Sequence, residues 1–160
     1  MKKLFLFLVV ISSLLSCQKD KVCPKNYTGS NCDKEVAPGR VRIKTIQISN
    51  FPGTNNGKNW DVNSAYPDPY FEIKDLTGVV YASQYLDNQQ PGSISQWNVD
   101  IVLIPGNPYV ILFNDEDGDS DDLIDSSVLY YYIEGEGFPD RYTFTGSNGS
   151  QISVWVTYEY

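Results

Sequence analysis

The sequence predicts an all-β protein, an eight-stranded antiparallel β-sandwich, on three observations. Short runs rich in tyrosine and β-branched residues recur between Val41 and Tyr160. Turn chemistry separates them, at Phe51-Pro52-Gly53, Gln90-Pro91-Gly92, Pro105-Gly106-Asn107-Pro108 and Gly146 to Gly149. No segment beyond the N-terminal apolar run supports a long amphipathic helix. Short strands with breakers between them bury apolar surface by closing two sheets on each other.

The first strand starts at Val41, where Val41, Ile43, Thr45 and Gln47 alternate imperfectly with Arg42, Lys44, Ile46 and Ile48, as expected of one partly wet face. Further strands are expected over Tyr70 to Lys74, Val79 to Gln84, Trp97 to Leu103, Tyr109 to Asn114, Ser127 to Ile133, Arg141 to Thr145 and Ile152 to Tyr158. Trp97 shares a face with Val99 and Ile101 and is expected in the core, whereas the pattern around Trp155 fixes no face for it. Trp60 is expected to be exposed near a loop, either stacking on a ligand or packing on its neighbours.

The 160 residues carry 20 acidic and 12 basic side chains, a formal charge of -8 and no histidine. An acidic chain offers no groove to follow a phosphate backbone, which argues against a nucleic-acid partner. Without histidine there is no Ser-His-Asp, Cys-His or His-metal arrangement, but carboxylates and carbonyls still suit hard cations.

Lys2 and Lys3 precede the apolar run Leu4 to Ile11, too short to span a bilayer and shaped like a secretion signal. The string Leu14-Leu15-Ser16-Cys17 resembles the lipobox of a bacterial lipoprotein. The resemblance implies a signal peptide over residues 1–16, lipidation of Cys17 and membrane attachment through that lipid anchor. It also implies a place in the bacterial cell envelope, on the outer membrane, facing periplasm or cell surface. Loss of Lys2 and Lys3 with the signal takes the formal charge from -8 to -10. Cys23 and Cys32 then remain as the only thiol pair, and an oxidising compartment favours a disulfide between them. Cys23-Pro24-Lys25-Asn26-Tyr27-Thr28-Gly29-Ser30-Asn31-Cys32 resembles the last disulfide loop of an EGF-like module, whose other four cysteines are missing here. Residues 17–40 thus read as a lipidated tether with a stapled loop, and residues 41–160 as the sandwich domain.

The densest chemistry lies between Asp115 and Asp125, where Asp115, Glu116, Asp117, Asp119, Asp121, Asp122 and Asp125 crowd together. Carboxylates so close raise one another's pKa unless solvent or a cation neutralises them. Ca2+ fits, since it takes six to eight oxygens in irregular geometry. An EF-hand does not: Ser120 stands where its turn glycine belongs and Ser126 where its bidentate glutamate belongs.

A second acidic cluster precedes it, with Asp61 and then Tyr66-Pro67-Asp68-Pro69-Tyr70. Asp68-Pro69-Tyr70 at a strand start, Trp97-Asn98 opening another strand, Asp115-x-Asp117 at a strand end and Asp122-Leu123-Ile124 after it together resemble the calcium-dependent C2 domain, from Val41 to Tyr160. The strand order resembles the variant whose extra strand closes the chain at its C-terminus. The resemblance implies a C2-like β-sandwich with calcium-binding loops at one end, and assigns the ligands to Asp61, Asp68, Asp115, Asp117 and Asp122, with Asp121 an equally suited donor. Asp61 to Asp68 is one residue longer than that pattern, Asp117 to Asp122 one shorter, and Asp125 replaces a frequent glycine.

In that family calcium bridges the protein to anionic phospholipid. Here Tyr66, Leu123 and Ile124 are the apolar residues available to touch a surface, and basic side chains are scarce in the loops. A lipid on Cys17 makes calcium-dependent recruitment redundant, so a protein or glycan partner bridged by calcium ranks above phospholipid. Alternatives are a structural envelope lipoprotein with a merely solvated acidic loop, and a glycan hydrolase using Asp68 and Asp115. No nucleophile elbow or phosphate cradle supports an enzyme.

Overall fold

The computed structural model describes residues 22–61, 66–117 and 120–160. The signal segment 1–16 and Cys17 lie outside these residues, as does Asp119. The chain is all-β, without a helix among the described residues. A small hairpin pairs β1 (Tyr27–Thr28) with β2 (Lys34–Glu35). Eight strands follow: β3 (Arg40–Ser49), β4 (Pro69–Asp75), β5 (Gly78–Ala82), β6 (Ile94–Leu103), β7 (Val110–Asp115), β8 (Asp122–Val128), β9 (Arg141–Thr145) and β10 (Gln151–Glu159). They form two antiparallel sheets ordered β6-β3-β10-β9 and β5-β4-β7-β8.

Alternation builds the core. Phe71 and Ile73 of β4 face inward with Ile111 and Phe113 of β7, all fully buried. Opposite them stand Val41, Ile43, Ile46 and Ile48 of β3 and Ile152 and Val154 of β10. Trp97 of β6 joins the layers, its ring 5.3 Å from Phe71 and 5.9 Å from Phe113, and its indole N–H donates to the Gln84 carbonyl at 2.8 Å. The imperfect alternation of β3 has a physical origin. Apolar residues switch phase between Ile43 and Ile46, and both ladders shift register there: Lys44 is the extra residue against β10, whereas against β6 it faces two residues, Val99 and Asp100.

The sixth of the eight expected strands, which corresponds to β8, needs correction. The pairing strand covers Asp122 to Val128, not Ser127 to Ile133. The chain leaves the sheet after Val128, although Leu129 and Tyr131 stay buried and the Tyr131 hydroxyl donates to the carbonyls of Ile104 and Asn107 at 3.0 and 2.9 Å. The ladder with β7 overrides the poor strand propensity of Asp122 and Asp125, because register is a tertiary property. Ile124 is consequently core, and only Leu123 of that pair is exposed. Trp60 is likewise buried rather than exposed, its indole N–H donating to the Pro52 carbonyl at 2.9 Å.

The disulfide Cys23–Cys32 is formed. Its hairpin docks on the sandwich: the Glu35 carboxylate accepts from the backbone N–H groups of Gly135 and Gly137 at 3.0 and 2.7 Å. Tyr27 packs edge-on against Phe138, which in turn meets Tyr158 and Tyr160. Register fixes which end this is. β10 pairs Gln151 with Ser49 and Glu159 with Arg40, so Tyr158 and the hairpin lie at the Arg40 end of β3. The loop leading to Asp61 leaves from the Ser49 end.

Candidate metal centre

Asp115 is the last residue of β7 and continues the inward series Ile111, Phe113. A carboxylate is thereby placed at the mouth of the apolar core, with no exposed surface. One oxygen, Oδ1, accepts the backbone N–H of Asp68 at 2.6 Å, and the other, Oδ2, is buried without a partner. The pairing of Pro69 with Asp115, continued by the Glu116 N–H to the Asp68 carbonyl at 3.1 Å, sets Asp68 beside it. Asp61, reached from β3 through the loop that buries Trp60, and Asp117, two residues beyond β7, bring their oxygens to the same point. One oxygen from each of Asp61, Asp115 and Asp117 lies within 4.8 Å of the others. Oxygens bound to one Ca2+ at 2.3–2.6 Å stand up to about 5 Å apart, so this spacing suits a shared ion.

The electrostatics report the same crowding. Burial, partly offset by the Asp68 N–H and reinforced by the charges of Asp61, Asp117 and Asp68, pushes the Asp115 carboxyl up to about 7. Burial and the neighbouring Asp68 and Asp117 hold Asp61 above its ordinary value. Burial and then Asp122 do the same for Asp117, whose carboxyl is in hydrogen-bonding reach of Asp61. A cation placed among them reverses each of these penalties.

The other sequence-predicted donors sit around this trio with partners of their own. Asp68 accepts the Asn88 N–H at 2.6 Å. Asp121 accepts the Tyr70 hydroxyl and, at 3.3 Å, the Asp117 N–H. Asp122 opens β8 opposite Asp115 and accepts the Asn55 side-chain amide at 2.5 Å. Asn55 and Asn88 lie outside the sequence motifs of this end, and Tyr70 belongs to one of them, Asp68-Pro69-Tyr70, without a role assigned to its hydroxyl. Asn55-Asn56-Gly57 carries a turn signal, and Asn56 and Gly57 do adopt positive φ, of 52° and 82°. Only the fold reveals that this turn reaches Asp122.

Asp125 does something different. Fully buried in β8, it accepts the N–H groups of Ser126, Asn148 and Ser150 at 2.7, 2.8 and 2.9 Å and the Ser147 hydroxyl at 3.0 Å. These donors outweigh burial and hold its carboxyl below the ordinary value. It pins the β9–β10 turn to β8.

No protein-family model and no curated protein matches the sequence. Solved structures match the fold. One described as "Structure of a C2 domain" gives a TM-score of 0.55 at 13% identity, over 76% of this chain and 98% of the other. Human GIVD cytosolic phospholipase A2, in complex with a methyl gamma-linolenyl fluorophosphonate inhibitor and terbium chloride, gives 0.55 at 18% identity. That match covers 77% of this chain and 17% of the phospholipase chain. The sandwich is C2-like, and at these identities the likeness is one of fold.

Proposed function

We propose that this chain is a calcium-binding C2-like module of a lipid-anchored lipoprotein, whose acidic end engages a protein or glycan surface through bound Ca2+. The observation that carries the reading is the fully buried Asp115, which has an unpartnered carboxylate oxygen and clusters within 4.8 Å of Asp61 and Asp117. A carboxylate is costly to bury without a partner, and a hard cation supplies one. Asp61, Asp115 and Asp117 hold the ion, and Asp68 adds negative charge beside them. Asp121 and Asp122 brace the loops through Tyr70 and Asn55 and have further carboxylate oxygen to contribute. The signal is residues 1–16, Cys17 carries the lipid, and residues 17–40 link it to the sandwich.

The docked hairpin bears on the partner class. It joins the domain at the end opposite the acidic cluster, so an anchor on Cys17 holds that far end and leaves the acidic end free to meet a partner other than the anchoring bilayer.

Thermal unfolding of the chain in calcium and in chelator tests the ion. Ca2+ at 100 times its dissociation constant adds about 2.7 kcal/mol to apparent stability. The variant Asp115→Asn removes the repulsion and the ligand together, so its melting temperature in chelator rises while its calcium response disappears. An unchanged melting temperature at millimolar calcium in the native chain would leave the acidic loop merely solvated. Metabolic labelling with a radioactive fatty acid, lost in Cys17→Ala, tests the anchor separately.

A further inference from the structure

We propose that a cavity beside the acidic end receives a lysine or arginine side chain from a basic polypeptide partner. The cavity encloses about 610 Å3 between Tyr70, Ser83, Tyr85, Asp87, Glu116 and Asp121. It opens on the outer side of the β5-β4-β7-β8 sheet, because Tyr70 alternates with the inward-facing Phe71. It adjoins the Asp61–Asp115–Asp117 point, since Asp121, which lines it, also accepts the Asp117 N–H, but none of those three carboxylates lines it, and a basic side chain entering it needs no metal.

Three carboxylates line this cavity and no lysine or arginine does. The ion pairs among the described residues lie elsewhere, at Arg42–Asp100, Arg42–Glu159, Lys44–Asp100 and Lys74–Glu72. The donors that do reach the wall are neutral. The Tyr70 hydroxyl bonds Asp121, and the Asn88 amide bonds Asp87 at 3.0 Å. They use lone pairs without cancelling charge. Tyr85 lines the same cavity and keeps a 52% exposed aromatic side chain, and a cation over such a ring gains from its quadrupole. The same pairing already occurs within the chain, where the Arg141 guanidinium lies 4.6 Å over the Trp155 ring.

Charge selects among ligands. A choline headgroup brings its phosphate with it, which three carboxylates repel, and a neutral sugar gains nothing from their charge. A basic side chain brings positive charge alone and matches both carboxylate and ring.

Fluorescence anisotropy of a labelled oligoarginine peptide, in chelator so that no ion contributes, tests the proposal. Tyr85→Ala and Glu116→Gln are each expected to weaken binding by about tenfold, and Tyr85→Phe to retain it. Glu134→Gln, which removes the same charge at the opposite end, is expected to leave it unchanged. Equal losses for Glu116→Gln and Glu134→Gln with no effect of Tyr85→Ala would reduce the binding to net charge and overturn the proposal. Loss in Asp61→Asn alone would move the peptide to the ion cluster and overturn it too. Binding of phosphatidylcholine vesicles in preference to the peptide would replace the polypeptide by a lipid surface.

Discussion

Two aspartates ten residues apart show how position decides what a buried carboxylate does. Asp115 has one N–H for two oxygens, and Asp125 has four donors. Their effects on stability run in opposite directions with pH. The Asp115 carboxyl, raised to about 7, contributes stability that is full below its unfolded value near 4 and is lost as pH rises through 7. The upper figure for that loss is about 4 kcal/mol, and Asp61 and Asp117 add to it in the same direction. Asp125, held low, contributes stability above the ordinary carboxylate range and loses it as pH falls through its lowered value. In chelator the melting temperature should therefore peak on the acid side of neutrality. In calcium the loss towards neutral pH should vanish, and a chelated protein most stable at pH 8 would contradict this assignment. At Asp125 a second expectation follows from space. A Cβ on Gly146 would stand 2.5 Å from the Asp125 carboxylate atoms. Gly146→Ala should unfold at lower denaturant by more than about 1 kcal/mol, and Asp125→Ala, which strands several buried donors, by about 3 kcal/mol. The spacing of the acidic residues pointed to both clusters, but not to their different roles. Only the turn at 146–150, brought over by β9 and β10, separates a structural carboxylate from a candidate ligand.

At the scale of elements, legibility depended on whether a strand's own pattern or its partner's decided its place. β4, β6, β9 and β10 lie close to where their alternation and turn residues put them. β8 does not, because Leu129, Tyr131 and Ile133 mimic a strand while Asp122 and Asp125 look like loop. Its start is set by pairing with Asp115, which no local window contains. The stapled hairpin is a similar case. The cysteines announce the bridge, but the Glu35 grip on Gly135 and Gly137 spans about a hundred residues of sequence. Closing so short a loop restrains the unfolded chain by about 2.5 kcal/mol in the entropy picture. Opening it with Cys23→Ser and Cys32→Ser should speed proteolysis between residues 22 and 39, and Glu35→Ala should do so with the bridge intact. Hydrogen exchange in β3 and β10 should barely change, since their ladder does not involve the hairpin. Loss of protection there would mean that the hairpin supports the core itself.

Over the whole molecule the sandwich separates two chemistries along the strand axis. β3 has ten residues, which at about 3.3 Å each place roughly 30 Å between its ends. The hairpin and the rings of Tyr27, Phe138, Tyr158 and Tyr160 occupy one end, and the acidic loops the other. The chain from Cys17 to Val22 reaches at most about 18 Å, so the proposed lipid on Cys17 would keep the hairpin end near the bilayer. With the lipidated protein in vesicles, a fluorophore at position 56 in the first acidic loop should be quenched less by labelled lipid than one at position 134 beside the hairpin. Reduction of the disulfide together with Glu35→Ala should narrow that difference, because the domain then hangs from a longer free tether. Equal quenching at both positions in the oxidised protein would mean that the acidic end turns back to its own membrane. In that event calcium would bridge the module to the anchoring bilayer, and phospholipid rather than a facing protein or glycan would become the preferred partner of the Asp61–Asp115–Asp117 cluster.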